Sequence, residues 1–182
     1  MTRRHAFTYV ELLVAVVVLA ILTIAAFPEA GAEAKEQGKN AALRFEADVF
    51  YARSASVARP DDPIVIKIDQ ANNRYWLARA SDPTTAIAHP QSGDPYVVQF
   101  GATGGETFDD VQIYAYDFDG DDVLAFDGTG STDQGTAAVV QFKSGTAEYE
   151  VSVNSASADT TISNKIIRNL TVSEGGQMQV VN

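Results

Sequence analysis

Glu11 sits where a carboxylate is unwelcome. In RHAFTYVELL, residues 4–13, it opens a run from Leu12 to Phe27 that carries no other charge. A charge near the centre of a bilayer costs roughly 2.5–3.5 kcal/mol, and somewhat less towards its edge. A lone acid in that position therefore calls for a cation to pair with. The densest carboxylate cluster lies far downstream, at Asp117-Phe118-Asp119-Gly120-Asp121-Asp122. An EF-hand loop wants glycine at its sixth position and glutamate at its twelfth. Counting from Asp117, the glycine is fourth and the twelfth residue is Gly128, so that motif fails. An Asp/Gly turn between strands is the first reading. Weak calcium binding through Asp117, Asp119, Asp121 and Asp122 stays open as the second.

Other chemistry is thinly supplied. There is no cysteine, so disulfides, thiolate metal sites and cysteine nucleophiles are excluded. His5 and His89 are the two histidines, too few for a histidine-rich metal site. Ser54 and Ser56 have no partner base in view. The stretch GATGG at 101–105 is too short for a phosphate loop and has no helix after it. Trp76 and the tyrosines suit hairpin packing better than a ligand platform. No enzymatic activity is expected, and no cofactor.

The net charge of −11 argues against broad nucleic-acid binding, which rests on Lys and Arg neutralising phosphates. Eight of the thirteen basic residues fall between Lys35 and Arg79, whereas Ala80 to Phe142 holds eleven acids and no Lys or Arg. Arg53, Arg59, Lys67, Arg74 and Arg79 are the candidates for a local basic patch.

These residues need elements to position them. From Phe7 to Phe27 is 21 residues with Glu11 as the single charge. As helix that stretch is about 31 Å long, enough to cross a hydrocarbon core. Arg3 and Arg4 put its N-terminal end on the cytoplasmic side. Pro28 removes a backbone donor, which predicts a kink or short break near Ala25 to Pro28. Ala32 to Ser56 then returns to helical spacing. Ala42, Phe45, Val49, Ala52 and Ser56 form its inner stripe, widened by Leu43, Phe50 and Val57. Lys35, Glu36, Lys39, Arg44, Glu46 and Asp48 make its wet side. Arg59-Pro60 ends it.

After Pro63 the period changes to two. PIVIKIDQ, a turn at Asn72-Asn73, and RYWLARA form a β-hairpin. Further strands are expected at 96–100, 111–116, 123–126, 137–142, 148–153, 166–172 and 177–181. Gly- and Asp-rich turns separate them. The fold class is α+β: a long N-terminal helix, transmembrane in its first half and amphipathic in its second, packed on an antiparallel β-sheet head.

The N-terminal residues resemble the signal of type IV pilins and type II secretion pseudopilins. FTYVELL matches that family's F-T-x-[IV]-E-L-L. The resemblance implies a leader over 1–6 and cleavage by a prepilin peptidase between Ala6 and Phe7, with N-methylation of Phe7. It also implies a transmembrane helix over 7–28 kinked by Pro28, an amphipathic helix over 29–59 and a periplasmic head over 60–182. One departure stands out: the residue before the cut is Ala6, where the family has glycine. Cleavage would leave a positive amine on Phe7, and Glu11, four residues on, can pair with that amine in its own chain or in a neighbour. Glu11 is thereby an assembly contact setting register between parallel helices.

The segment from Ala41 to Leu77, with Ala52-Arg53-Ser54 and Tyr75-Trp76-Leu77, is similar to the GspH/FimT group of minor pseudopilins. So are VLAFDGTGSTDQGTAAVVQF and NLTVSEGGQMQVV. The group implies a structural subunit of a type II secretion or related pseudopilus, held in the inner membrane before assembly. Its partners would be pilin-like subunits and the prepilin peptidase, with no nucleic acid. The alternatives are a minor pilin of a type IV pilus, serving adhesion, assembly priming or DNA uptake, and a membrane-anchored binding domain outside any filament.

Overall fold

The computed structural model describes residues 8–26, 31–104, 108–157 and 159–166. Two compact units are present, residues 1–32 and residues 33–182.

The described residues of the first unit include the helix α1 (Tyr9–Ala26). Its start is fixed locally: the Thr8 hydroxyl accepts the Glu11 amide at 3.3 Å, and the Thr8 carbonyl accepts the Leu12 amide at 3.2 Å. A threonine followed three residues later by glutamate is the capping-box spelling. Every side chain from Thr8 to Ile21 is exposed, including Leu12, Leu13, Val14, Val16, Val17 and Val18. Eighteen residues of helix measure about 27 Å. Among the described residues no helix is long and apolar enough to cross a membrane. The expected span, 7–28, begins and ends outside the described residues, as does Pro28 with its expected kink. Gly31 takes φ 97°, so the helix does not continue unbroken from α1 into the next.

The second unit begins with α2 (Ala32–Ala58), followed by β1 (Ile64–Asp69), a one-turn 3-10 helix (Gln70–Asn72), β2 (Arg74–Arg79), β3 (Asp82–Ala86), β4 (Val97–Gln99), β5 (Val111–Asp117), β6 (Val123–Leu124), β7 (Ala138–Ser144), β8 (Ala147–Val153) and β9 (Thr160–Ile166). All sheet pairing is antiparallel. One sheet has the order β3-β2-β1-β6, with β4 also on β2; the other is β5-β7-β8-β9. Burial alternates residue by residue along β7 and β8, as a half-buried antiparallel pair requires.

The expected inner stripe of α2 is buried throughout, from Ala42 to Ser56. Phe45 is its centre and touches both sheets, edge-on to Tyr75 of β2 at 5.2 Å and tilted on Phe142 of β7 at 5.8 Å. Gly38 lets the helix lie close, since a Cβ there would meet the Tyr149 ring at 2.9 Å. At the helix end the buried Ser56 hydroxyl donates to Ala52 O and accepts from the Ile64 amide at 2.9 Å, tying helix to hairpin.

Several expectations are corrected. Leu43, Phe50 and Val57 do not widen the stripe but are exposed; at 3.6 residues per turn they lie roughly 120–160° round the helix from Phe45. Asp48 is not on the wet side and is 2% exposed. The strand β3 was not foreseen; it contains Pro83 and sits at a sheet edge, where a missing donor is tolerated. A strand was expected from Ile166, whereas β9 begins at Thr160; residues 167–182, with the expected final strand, lie outside the described residues.

The two sheets are also stitched through a turn. Asn73 closes the first hairpin at φ 54°. Its side-chain amide donates to Val111 O at 2.9 Å and accepts from the Ile113 amide at 2.7 Å. In effect one side chain takes the place of a strand residue beside β5.

Candidate functional site

Glu11 occupies the first turn of α1 and is exposed. Two electrostatic features favour an anion there. Unpaired amides at a helix start carry partial positive charge, worth about 0.3–1 kcal/mol to a nearby carboxylate. The run from Leu12 to Phe27 holds no cation of its own. Ala6 and Phe7, the predicted processing residues, lie outside the described residues.

The Asp117–Asp122 loop is ordered by its own carboxylates. Asp119, at φ 54°, accepts the Gly135 amide at 2.5 Å, the Thr136 amide at 3.3 Å and the Thr136 hydroxyl at 2.8 Å. Those hydrogen bonds, the Thr136 hydroxyl foremost, hold its carboxyl below the usual range. Asp117 accepts the Asp119 amide, Asp121 accepts the Asp122 amide, and Asp122 pairs with Lys67 at 3.0 Å. The four carboxylates named for calcium thus turn to four separate tasks. Among the described residues no three of His, Cys, Asp and Glu are grouped as metal ligands.

The remaining candidates have structural partners. Ser54 donates to Phe50 O, and Ser56 is enclosed at the helix–hairpin joint. His89 lies on the Tyr96 ring, centroids 4.4 Å apart, with Nδ1 accepting the Gln91 amide. Trp76 donates from Nε1 to Pro83 O while Arg74 covers its ring. Of the five basic-patch residues, four face aspartates: Arg53 with Asp159, Lys67 with Asp122, Arg74 with Asp69, and Arg79 with Asp62.

A buried polar anchor was missed by the sequence reading. Asp48 receives the Tyr75 hydroxyl at 2.6 Å, the Tyr96 hydroxyl at 2.8 Å and Arg44 Nε at 3.2 Å. Burial and then the Asp48 charge push the Tyr75 phenol well above its ordinary value. Burial first, then the hydrogen bond to Asp48 and the charge of that carboxylate, push Tyr96 up to about 12. Burial works against the charge on Arg44, but Asp48, Tyr75 and Tyr96 together outweigh it and the guanidinium is held above its usual value. The only signal in the sequence was Arg44 four residues before Asp48, which marks an ion pair without saying which face it takes. The anchor joins α2 to β2 and to the segment entering β4, so it positions the head on its helix.

Residues 1–27 match the family model described as a prokaryotic N-terminal methylation motif. No curated protein matches the chain. Among solved structures, the type IV minor pilin FimU of Pseudomonas aeruginosa is similar over 69% of this chain and 91% of that one, at 15% identity and a TM-score of 0.44.

Proposed function

The N-terminal methylation motif is the premise from which we propose that this chain is a minor pilin-like structural subunit, and in particular a pseudopilin of a type II secretion or related machine. The single observation that carries the reading is the motif match over residues 1–27, which contains Ala6, Phe7 and Glu11 in their expected order. In this reading a prepilin peptidase cuts between Ala6 and Phe7, Phe7 is methylated, and residues 7–28 anchor the chain in the inner membrane. The exposure of α1 from Thr8 to Ile21 supports the anchor, since an exposed apolar helix surface is suited to lipid or to neighbouring helices. Glu11 then sets register by pairing with the Phe7 amine of its own or an adjacent subunit. The head presents partner contacts and makes or breaks no covalent bond. Four of its five patch cations are neutralised by aspartate, which supports an assembly role over DNA uptake.

Intact mass of the protein from membranes of its host tests this. A chain starting at Phe7 with one added methyl group is the expected result. A chain starting at Met1 would overturn processing and make an anchored domain outside any filament the better reading. For the choice of machine, deletion should abolish protein secretion and leave surface pili intact; the converse would assign the chain to a type IV pilus.

A further inference from the structure

The outer side of α2 is patterned for a second helix. Leu43, Phe50 and Val57 stand seven residues apart and are 44%, 66% and 47% exposed. Ala47 and Ser54 fall between them, at steps of four and three residues, and are exposed as well. The other exposed large hydrophobic residues described in the second unit, Val97 and Tyr114, lie on strands β4 and β5. Single apolar residues on a surface need no explanation. A row with an average spacing of 3.5 is different, because it is the seam that one helix offers to another. Leu43, Ala47 and Phe50 also line a groove of about 610 Å³, together with Glu46 and Arg53.

The order of residues along the seam decides which helix fits. Large and small side chains alternate: Leu43, Ala47, Phe50, Ser54. A second α2, laid antiparallel and centred between Asp48 and Val49, sets Phe50 on the partner's Ala47 and Leu43 on the partner's Ser54. Each large side chain then meets a small one, as interdigitating layers require. Glu46 and Arg53 flank the seam on one side, seven residues apart. The same arrangement therefore sets Glu46 beside the partner's Arg53, and Arg53 beside the partner's Glu46. A parallel pair in register would stack large on large and bring Lys39 to the partner's Arg44, cation against cation. Within its own chain Glu46 accepts the Thr160 hydroxyl at 2.6 Å, and Arg53 reaches Asp159 at 3.5 Å. Those contacts leave capacity over, since a carboxylate has about four acceptor sites and a guanidinium five donors.

We propose that the outer face of α2 is a docking surface for a second copy of this chain, whose α2 lies across it antiparallel. The contact is isologous: Leu43 and Phe50 pack on the partner's Ser54 and Ala47, and two Glu46–Arg53 pairs close it. It withdraws the apolar side of α2 from water, and it does not involve the register contact at Glu11.

The chain contains no cysteine, so single cysteines can be placed in the full-length protein in detergent without background. Leu43→Cys and Ser54→Cys would be prepared separately, then oxidised alone and mixed. A disulfide needs Cα atoms within about 7 Å, so the facing residues alone can close one. The expected result is a dimer-mass bond in the mixture and little in either variant by itself. A bond in each variant alone would mean parallel pairing and overturn the proposal. Absence of a bond in the mixture, as when another subunit or another segment covers the face, would overturn it too. Charge reversal gives the second readout. Glu46→Arg in both variants should lower the mixed yield about fivefold, and adding Arg53→Glu should restore it. A yield that stays low in the double reversal would trace the loss to Thr160 and Asp159 of the same chain and count against the pair. Neither readout depends on how the N-terminus is processed.

Discussion

α1 and α2 are both helices with many apolar residues, yet they differ in what their patterning commits them to. In α1 the apolar residues recur at every position and all described side chains are exposed. In α2 they recur at three- and four-residue spacing, and that stripe is buried against two sheets. Periodicity therefore separates a helix whose apolar stripe is buried in its own fold from one whose apolar side chains are left exposed. A helix apolar all round has no preferred face, so a single charge such as Glu11 can dominate its register. In the amphipathic helix the telling charge is Asp48, which is buried with three donors.

The sharpest way to break the comparison is to neutralise each acid. Glu11→Ala should abolish recovery of the protein in sheared filaments while leaving the melting temperature of the head unchanged; normal assembly of this variant would remove the register role. Asp48→Ala should do the reverse. It strands two buried hydroxyls and a guanidinium, a loss of about 3 kcal/mol, read as a lowered denaturant midpoint with membrane insertion intact. Gly38→Ala tests the close approach of α2 to β8. The clash with Tyr149 should cost about 1–3 kcal/mol, offset by roughly 1 kcal/mol of better helix propensity, leaving a small net fall in Tm. The smallest effect should appear in alkali. Tyr96 is raised to about 12 in the folded head, so the folded state keeps a proton that the unfolded chain loses above pH 10. Its contribution is complete below pH 10 and is lost as pH rises from 10 to about 12. Tyr96→Phe should flatten that part of the Tm–pH curve, and an unchanged slope would show that Tyr96 does not drive it.

The first hairpin was legible because two short runs rich in β-branched and aromatic residues, Ile64–Asp69 and Arg74–Arg79, flank the turn residues Asn72-Asn73. The inner stripe of α2 was legible for the same reason, at helical spacing. What misled was apolarity without direction. Leu43, Phe50 and Val57 were assigned to the stripe by residue type, although each lies roughly 120–160° round the helix from Phe45. Asp48 was assigned to water by type in turn, and only its tertiary partners, the hydroxyls of Tyr75 and Tyr96, make its burial tolerable. Those tyrosines are 27 and 48 residues away, beyond any local pattern. The Asp117–Asp122 cluster was legible as a turn. Its donors, Gly135, Thr136 and Lys67, come from remote segments, so the fate of each carboxylate was not. The methylation motif that contains Glu11 was legible from spelling alone, since it is one contiguous stretch of sequence.

The amide of Asn73 has a mechanical consequence. It grips the backbone of β5 from the tip of the first hairpin, at two points on opposite sides of a strand residue. Sliding one sheet past the other would require both bonds to break together, with Phe45 wedged between Tyr75 and Phe142 resisting the same shear. Under tension the head should therefore yield in one step, holding its shape until both sheets give way at once.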